Sequence, residues 1–229
     1  MSEELWAKHE ELWAAVDDYL AEKLIPADAA LTLAREANAE AKLPAIDVSP
    51  AQGKFLYLLA KIQGARRILE VGTLGGYSTI WLARALPEGG RLITLEIERR
   101  HAEVALKNIE RAGVASRVEL RLAPAAESLA ALVTEEAEPF DLIFIDADKP
   151  NNPVYLEWVL QLARPGTVLI VDNVIREGEV IDAESKDESV RGTRRLFDLM
   201  AANPRLEATA MQTVGSKGYD GFVVAVVRE

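Results

Sequence analysis

Two regions of this 229-residue chain hold side chains whose types and spacing suit chemistry. The first is Ile68-Leu-Glu-Val-Gly-Thr-Leu-Gly-Gly-Tyr-Ser, a short apolar run followed by Gly72, Gly75 and Gly76. Glycine tolerates positive φ and lets a ligand approach the backbone closely. The spacing is G-x-x-G-G, so the pyrophosphate fingerprint G-x-G-x-x-G is absent. Glu70, just before the turn, opposes a pyrophosphate but suits a cationic ligand. Glu96 ends the next apolar run, 20 residues after Gly76, where an acid commonly accepts both hydroxyls of a ribose. A nucleoside carrying positive rather than phosphate charge satisfies these features together, and S-adenosylmethionine is such a ligand. The bland alternative is a tight turn with solvated acids.

The second region is split between Phe144-Ile-Asp-Ala-Asp-Lys and Ile170-Val-Asp-Asn. Asp146, Asp172 and Asn173 stand at the carboxyl ends of two apolar runs. If those runs are adjacent strands, their backbones lie about 4.8 Å apart, and three oxygen ligands could share one cation. Such hard ligands favour Mg²⁺, Ca²⁺ or Mn²⁺ with positions left open for substrate or water. Asn173 supplies an oxygen without a third negative charge. Lys149 follows Asp146 by three residues, and a neighbouring cation favours its unprotonated amine, which makes it a candidate general base. Against this stands the simpler reading of strand-end acids facing water, with Lys149 paired to Asp148.

The elements that position these residues are legible from periodicity. Leu5, His9, Leu12, Trp13, Val16 and Leu20 share one face of an N-terminal helix, and a second, Ala-rich helix fits residues 28–40. Ser49 is a good cap and Pro50 a good first helical residue for a helix over 51–63 that Gly64 stops. Short apolar strands at 68–71, 92–95, 118–122, 142–145 and 168–171 then alternate with helices near 78–86, 102–112, 126–133 and 154–163. Arg164-Pro-Gly is expected to end the last of these helices. A charged loop covers 174–187 and a helix 189–202. Two closing strands, 206–214 and 222–227, are joined by Gly215-Ser-Lys-Gly-Tyr-Asp-Gly and must pair antiparallel. Strands alternating with helices specify an α/β fold: a doubly wound, Rossmann-like, mostly parallel sheet with a C-terminal antiparallel hairpin and added N-terminal helices. One domain is expected over 1–229, with a helical extension at 1–64 and the α/β core at 65–229.

Composition removes several function classes. Lys plus Arg total 26 against 37 Asp plus Glu, a net charge of −11, so nucleic-acid binding is disfavoured. There is no cysteine, which excludes disulfides, thiolate metal sites and a cysteine nucleophile. With only two histidines, His9 and His101, a multi-histidine metal centre has too few ligands; both are read as surface or half-buried. No apolar run is long enough for a membrane helix, and the acidic start is unlike an export signal. A cytoplasmic protein without a membrane partner is expected. Trp6 and Trp13 read as a packing stripe, or a surface for a second subunit. Arg191, Arg194 and Arg195 could meet an anionic substrate, but the simpler reading is a solvated helix face.

In order and spacing, Val48-Ser-Pro-Ala-Gln-Gly-Lys-Phe-Leu, the glycine turn, Ile145-Asp-Ala-Asp-Lys, Val171-Asp-Asn and Gly218-Tyr-Asp-Gly resemble the cation-dependent O-methyltransferases. That group includes the catechol and caffeoyl-CoA enzymes, and the likeness is closest to bacterial members of the caffeoyl-CoA-like branch, from about Val48 to Arg228. The resemblance implies S-adenosylmethionine and a divalent cation as cofactors and a class I methyltransferase sheet. It implies that the backbone at Val48 closes over the methionine part of the cofactor, with Glu70 on its amino group and Ser78 on its carboxylate. Gly72, Thr73 and Gly76 would form the turn around it, Glu96 would hold the ribose, and Ala125 would sit beside the adenine. Asp146, Asp172 and Asn173 would hold the metal, and Lys149 with Asp146 would serve catalysis. Ala123 departs from the glycine of many relatives and touches only the adenine edge. The implied reaction is methylation of one hydroxyl of a vicinal dihydroxy aromatic, a small phenolic molecule, by a homodimer. Two readings stand beside it: a metal-independent small-molecule methyltransferase on the same fold, and a nucleoside-binding module without catalysis. A nicotinamide dehydrogenase is disfavoured by the G-x-x-G-G spacing and Glu70.

Overall fold

The computed structural model describes residues 3–229. Three helices come first: α1 (Glu3–Leu24), α2 (Ala29–Glu40) and α3 (Pro50–Gln63). Asp28 caps α2 by accepting from the Leu31 N–H, and Ser49 caps α3 by accepting from the Gln52 N–H. Gly64 ends α3 at φ 65°. The alternating core follows: β1 (Arg67–Val71), α4 (Tyr77–Ala85), β2 (Arg91–Glu96), α5 (Arg99–Arg111), β3 (Val118–Leu122), α6 (Ala125–Thr134), β4 (Phe140–Ile145), α7 (Asn152–Val159) and β5 (Ala163–Asp172). Helix α8 (Glu188–Ala202) leads to the hairpin β6 (Leu206–Gly215) and β7 (Gly218–Val227).

The strands form one seven-stranded sheet in the order β3-β2-β1-β4-β5-β7-β6. The first five are parallel, while β7 is antiparallel to both β5 and β6. The order reverses beside β1, which opens a crevice above the carboxyl ends of β1 and β4. Two apolar layers enclose the sheet. Ile68, Leu82, Ile80 and Phe144 share one layer with Leu56 and Ala60 of α3 and Ala105 of α5. Val71, Ile145 and Val171 share the other with Leu132, Leu156 and Leu196 from α6, α7 and α8. Burial on both faces explains why the parallel strands read as continuous apolar runs.

Three local expectations are corrected. Helix α7 ends at Val159 rather than 163, and β5 begins at Ala163, taking in Arg164-Pro-Gly. A register shift between Phe140 and Leu142 makes room for the proline and glycine inside the strand. Thr167 secures it, its hydroxyl donating to the Phe140 carbonyl at 2.6 Å and accepting from the Arg164 N–H at 2.9 Å. The closing hairpin is longer than expected, since both strands run on to leave only Ser216 and Lys217 as the turn. Asp17 of α1 accepts from the Ser216 N–H and hydroxyl, which pins that turn. The apolar face of α1 is not covered by the chain's own core: Leu12, Val16 and Leu20 remain exposed. Trp6 and Trp13 meet edge to face at 5.5 Å, and Trp6 meets Tyr219 at 6.3 Å. Among the described residues no helix is long and apolar enough to cross a membrane.

Candidate functional site

A cavity of about 710 Å³ lies over the carboxyl ends of β1, β2, β4 and β5, a size typical of small-molecule sites. Its floor is the glycine turn. Gly72 has φ 100°, and a Cβ placed there would come within 2.0 Å of the Asp146 carbonyl oxygen. Only glycine lets β1 and β4 close together at this point. Thr73 and Leu74 continue the floor, with Leu74 at φ 48°. Gly76 is not on the cavity wall; at φ 83° it starts α4 and lies against Ala105.

Glu96 lines the cavity and is nearly buried. Its carboxylate accepts from three backbone N–H groups, Leu74 at 2.7 Å, Ile97 at 3.0 Å and Glu98 at 2.9 Å. That fixes its orientation and leaves lone pairs for a ligand's hydroxyls. His101 stands beside it, Nδ1 3.5 Å from Glu96 Oε1, on the same wall. Pro124, Ala125, Ala126 and Leu95 make an apolar flank next to Glu96. Val48 closes the cavity from the loop before α3.

Glu70 is placed differently from its sequence expectation. It is fully buried and is not a cavity-lining residue. Its oxygens accept from Ser78 Oγ at 2.6 Å, Thr79 Oγ1 at 2.5 Å and Thr94 Oγ1 at 2.7 Å. Burial pushes the Glu70 carboxyl up to about 7, against the pull of those hydroxyls. Ser78 does line the cavity, so Glu70 addresses the cavity through the Ser78 hydroxyl.

The oxygen cluster forms where the adjacent parallel strands β4 and β5 end in register, Ile145 opposite Val171. Asp146 and Asn173 line the cavity with Lys149, while Asp172 is buried beside them. Lys149 is 7% exposed, its Nζ 2.9 Å from Asp146 Oδ1. Asp172 accepts from Gln52 Nε2 at 2.6 Å and from the Asn173 N–H at 2.9 Å. Burial, followed by the Asp146 charge, pushes the Asp172 carboxyl up to about 7. Asn173 holds φ 54° in the left-handed region, which Asn tolerates better than most residues. Among the described residues no group of three or more His, Cys, Asp or Glu is placed to hold a metal. A cation here would therefore take the Asn173 amide oxygen as its third side-chain ligand. The donor set fits one: all oxygen, hard, and short of positive charge at Asp172.

Close packing positions Lys149. A Cβ at Gly192 of α8 would fall 2.4 Å from the Lys149 carbonyl oxygen, so α8 lies directly on the 149–151 turn. Sequence reasoning missed His101, Gln52 and Arg176 as site residues. His101 was within reach, because a helix opening just past Glu96 must start at the ligand edge. Nothing in the sequence links Gln52 to a residue 120 positions away.

Comparison with known proteins identifies the family of the chain. The O-methyltransferase family model matches residues 24–225. The catechol O-methyltransferase of Niastella koreensis is 52% identical over 95% of this chain and 99% of its own. That of Mycobacterium tuberculosis is 53% identical over 93% of this chain and 95% of its own. The solved O-methyltransferase of Bacillus cereus, in complex with SAH, superposes with a TM-score of 0.95 at 62% identity, covering 96% of this chain and all of that one.

Proposed function

The chain belongs to the O-methyltransferase family, and we propose that it transfers the methyl group of S-adenosylmethionine to one hydroxyl of a vicinal dihydroxy aromatic in a divalent-cation-dependent reaction. The observation that carries this reading is the meeting of Asp146, Lys149 and Asn173, with Asp172 beside them, on the wall of the cavity that Glu96 and Ser78 also line. The names of the two catechol O-methyltransferases above support the acceptor class, and the SAH of the Bacillus cereus structure supports the donor.

Each end of the cavity has its task. Glu96, oriented by three backbone donors, accepts the ribose hydroxyls. The apolar flank at Pro124, Ala125 and Ala126 faces the adenine. Val48 and the backbone of Gly72 and Thr73 enclose the methionine part, with Ser78, held by Glu70, on its polar end. S-Adenosylmethionine supplies an electrophilic methyl on a positive sulfur that leaves as a neutral thioether, so the enzyme needs no acid. Asp146, Asp172 and Asn173 would hold the divalent cation, which would lower the pKa of a nearby phenol and orient the acceptor. Gln52 holds the Asp172 carboxylate in place. Lys149, shielded from water, takes the proton of the acceptor hydroxyl at Nζ. Holding the acceptor oxygen in line with the methyl carbon, about 3 Å away, contributes to the rate. The reading includes a cytoplasmic location and a homodimer, the latter supported by the exposed Leu12, Val16 and Leu20 on α1. It includes no nucleic-acid or membrane partner.

The test is turnover of catechol with labelled S-adenosylmethionine, before and after chelation. Loss of turnover with EDTA and its return with Mg²⁺ or Mn²⁺ is the expected result. Full turnover in the chelated enzyme would instead assign a metal-independent methyltransferase.

A further inference from the structure

Arg176 stands on the cavity wall three residues past Asn173 and has no part in the methyl transfer described above. Its backbone lies in the left-handed region at φ 56°, as does that of Glu177, an unfavourable conformation for residues with a Cβ. Asp220 of β7 holds it there: Oδ1 accepts from the Ile175 N–H at 2.9 Å, the Arg176 N–H at 3.1 Å and the Gly221 N–H at 2.9 Å. That oxygen is fully occupied by backbone. The other is 3.9 Å from Arg176 Nη1, too far for a hydrogen bond. Asp187 feels the Arg176 charge only as a minor contribution. Arg176 Nε is buried and has no hydrogen-bond partner. Asp220 thus fixes the Arg176 backbone, and the half-buried guanidinium keeps unspent donors.

Its neighbours on the wall are already engaged. Lys149 is bound to Asp146, and Asp148 accepts from Tyr155 and Asn151. A neutral catechol offers Arg176 only hydroxyl lone pairs or a ring face, with no charge to pair. An anion with two parallel acceptors matches a guanidinium fork, and screening is weaker in a half-buried cavity than on the surface. In a chain of net charge −11, an anionic acceptor also needs a local cation to offset the general repulsion.

We propose that Arg176 binds a carboxylate on the methyl acceptor, so that the preferred acceptor is a dihydroxy aromatic acid rather than a neutral catechol. This rests on the diol-methylation reading above and sharpens its substrate class.

The experiment compares 3,4-dihydroxybenzoate and 3,4-dihydroxycinnamate with their methyl esters, using the full chain with Mg²⁺ and S-adenosylmethionine. For the wild type, kcat/KM is expected to be at least about tenfold higher for one of the acids than for its ester. Arg176→Gln should cut the value for that acid about 10- to 100-fold, mostly through KM, and change the ester less than about threefold. Arg176→Lys, which keeps the charge but not the fork, should restore part of the loss. Calorimetry with S-adenosylhomocysteine present should show the same weakening of acid binding in Arg176→Gln and none for the ester. Equal losses for acid and ester would reduce Arg176 to a support of the 173–178 segment and overturn the proposal. Equal wild-type turnover of acid and ester overturns it too, while leaving diol methylation intact. Turnover of none of the four compounds overturns the diol reading and this proposal with it.

Discussion

Replacing Glu70 with glutamine should make the protein more stable at alkaline pH, although it removes a charged residue from the sheet. The carboxyl is fully buried among three hydroxyl donors, and burial raises it from an ordinary 4.5 to about 7. A group raised on folding contributes its stability below the unfolded value, and that contribution is lost as pH climbs through the folded value. For Glu70 the window runs from pH 4.5 to just above 7. At about 1.4 kcal/mol for each pH unit, the change from 4.5 to 7 amounts to about 3 kcal/mol. Glutamine keeps an acceptor for Thr79 and Thr94, donates to Ser78, and does not titrate. Urea unfolding of wild type and Glu70→Gln at pH 5 and pH 8, without cation or cofactor, measures the difference. Asp172, also raised to about 7, titrates in both proteins and cancels in the comparison. The variant's lead should be under about 1 kcal/mol at pH 5 and about 3 kcal/mol at pH 8. Parallel pH profiles would refute the reasoning, because they would mean that Glu70 stays ionised in the folded chain without cost.

Three further substitutions test the site. Lys149→Ala should lower kcat by about 100-fold or more, in the range of lost general bases, while S-adenosylmethionine binding measured by calorimetry stays within about threefold; matching losses would remove Lys149 from proton transfer. Gly72→Ala puts a methyl 2.0 Å from the Asp146 carbonyl oxygen at φ 100°, so it should cost at least about 2 kcal/mol in urea unfolding and weaken cofactor binding strongly. Gly192→Ala, 2.4 Å from the Lys149 carbonyl oxygen, should displace the lysine and lower kcat about tenfold or more, with cofactor affinity nearly unchanged. Its stability cost should be about 1–3 kcal/mol.

The sequence exposed the sheet because its parallel strands are buried on both faces and leave uninterrupted apolar runs such as Leu142 to Ile145. The strand-end acids were legible for the same reason: once Ile145 and Val171 are strand residues, Asp146 and Asp172 must stand at the ligand edge. Strand ends were less legible where a long-range contact decides them. The register shift at Phe140 keeps Pro165 inside β5, which no local propensity announces. Depth within the site was hidden as well. Glu70 and Ser78 are eight residues apart, and their order from cavity to core depends on how α4 closes over β1. Arg176 lay in a stretch read as a charged loop, and only its hold on Asp220, 44 residues later, gives it a place.

Occupancy of the oxygen cluster by a divalent cation is the most direct test of metal dependence. Crystals grown with Mn²⁺ and S-adenosylhomocysteine, measured at the manganese absorption edge, report it without reference to turnover. One anomalous peak is expected, with side-chain oxygens of Asp146, Asp172 and Asn173 within about 2.0–2.6 Å of it. A cavity holding the nucleoside with no peak at those three residues, or a peak bound elsewhere, would contradict the account.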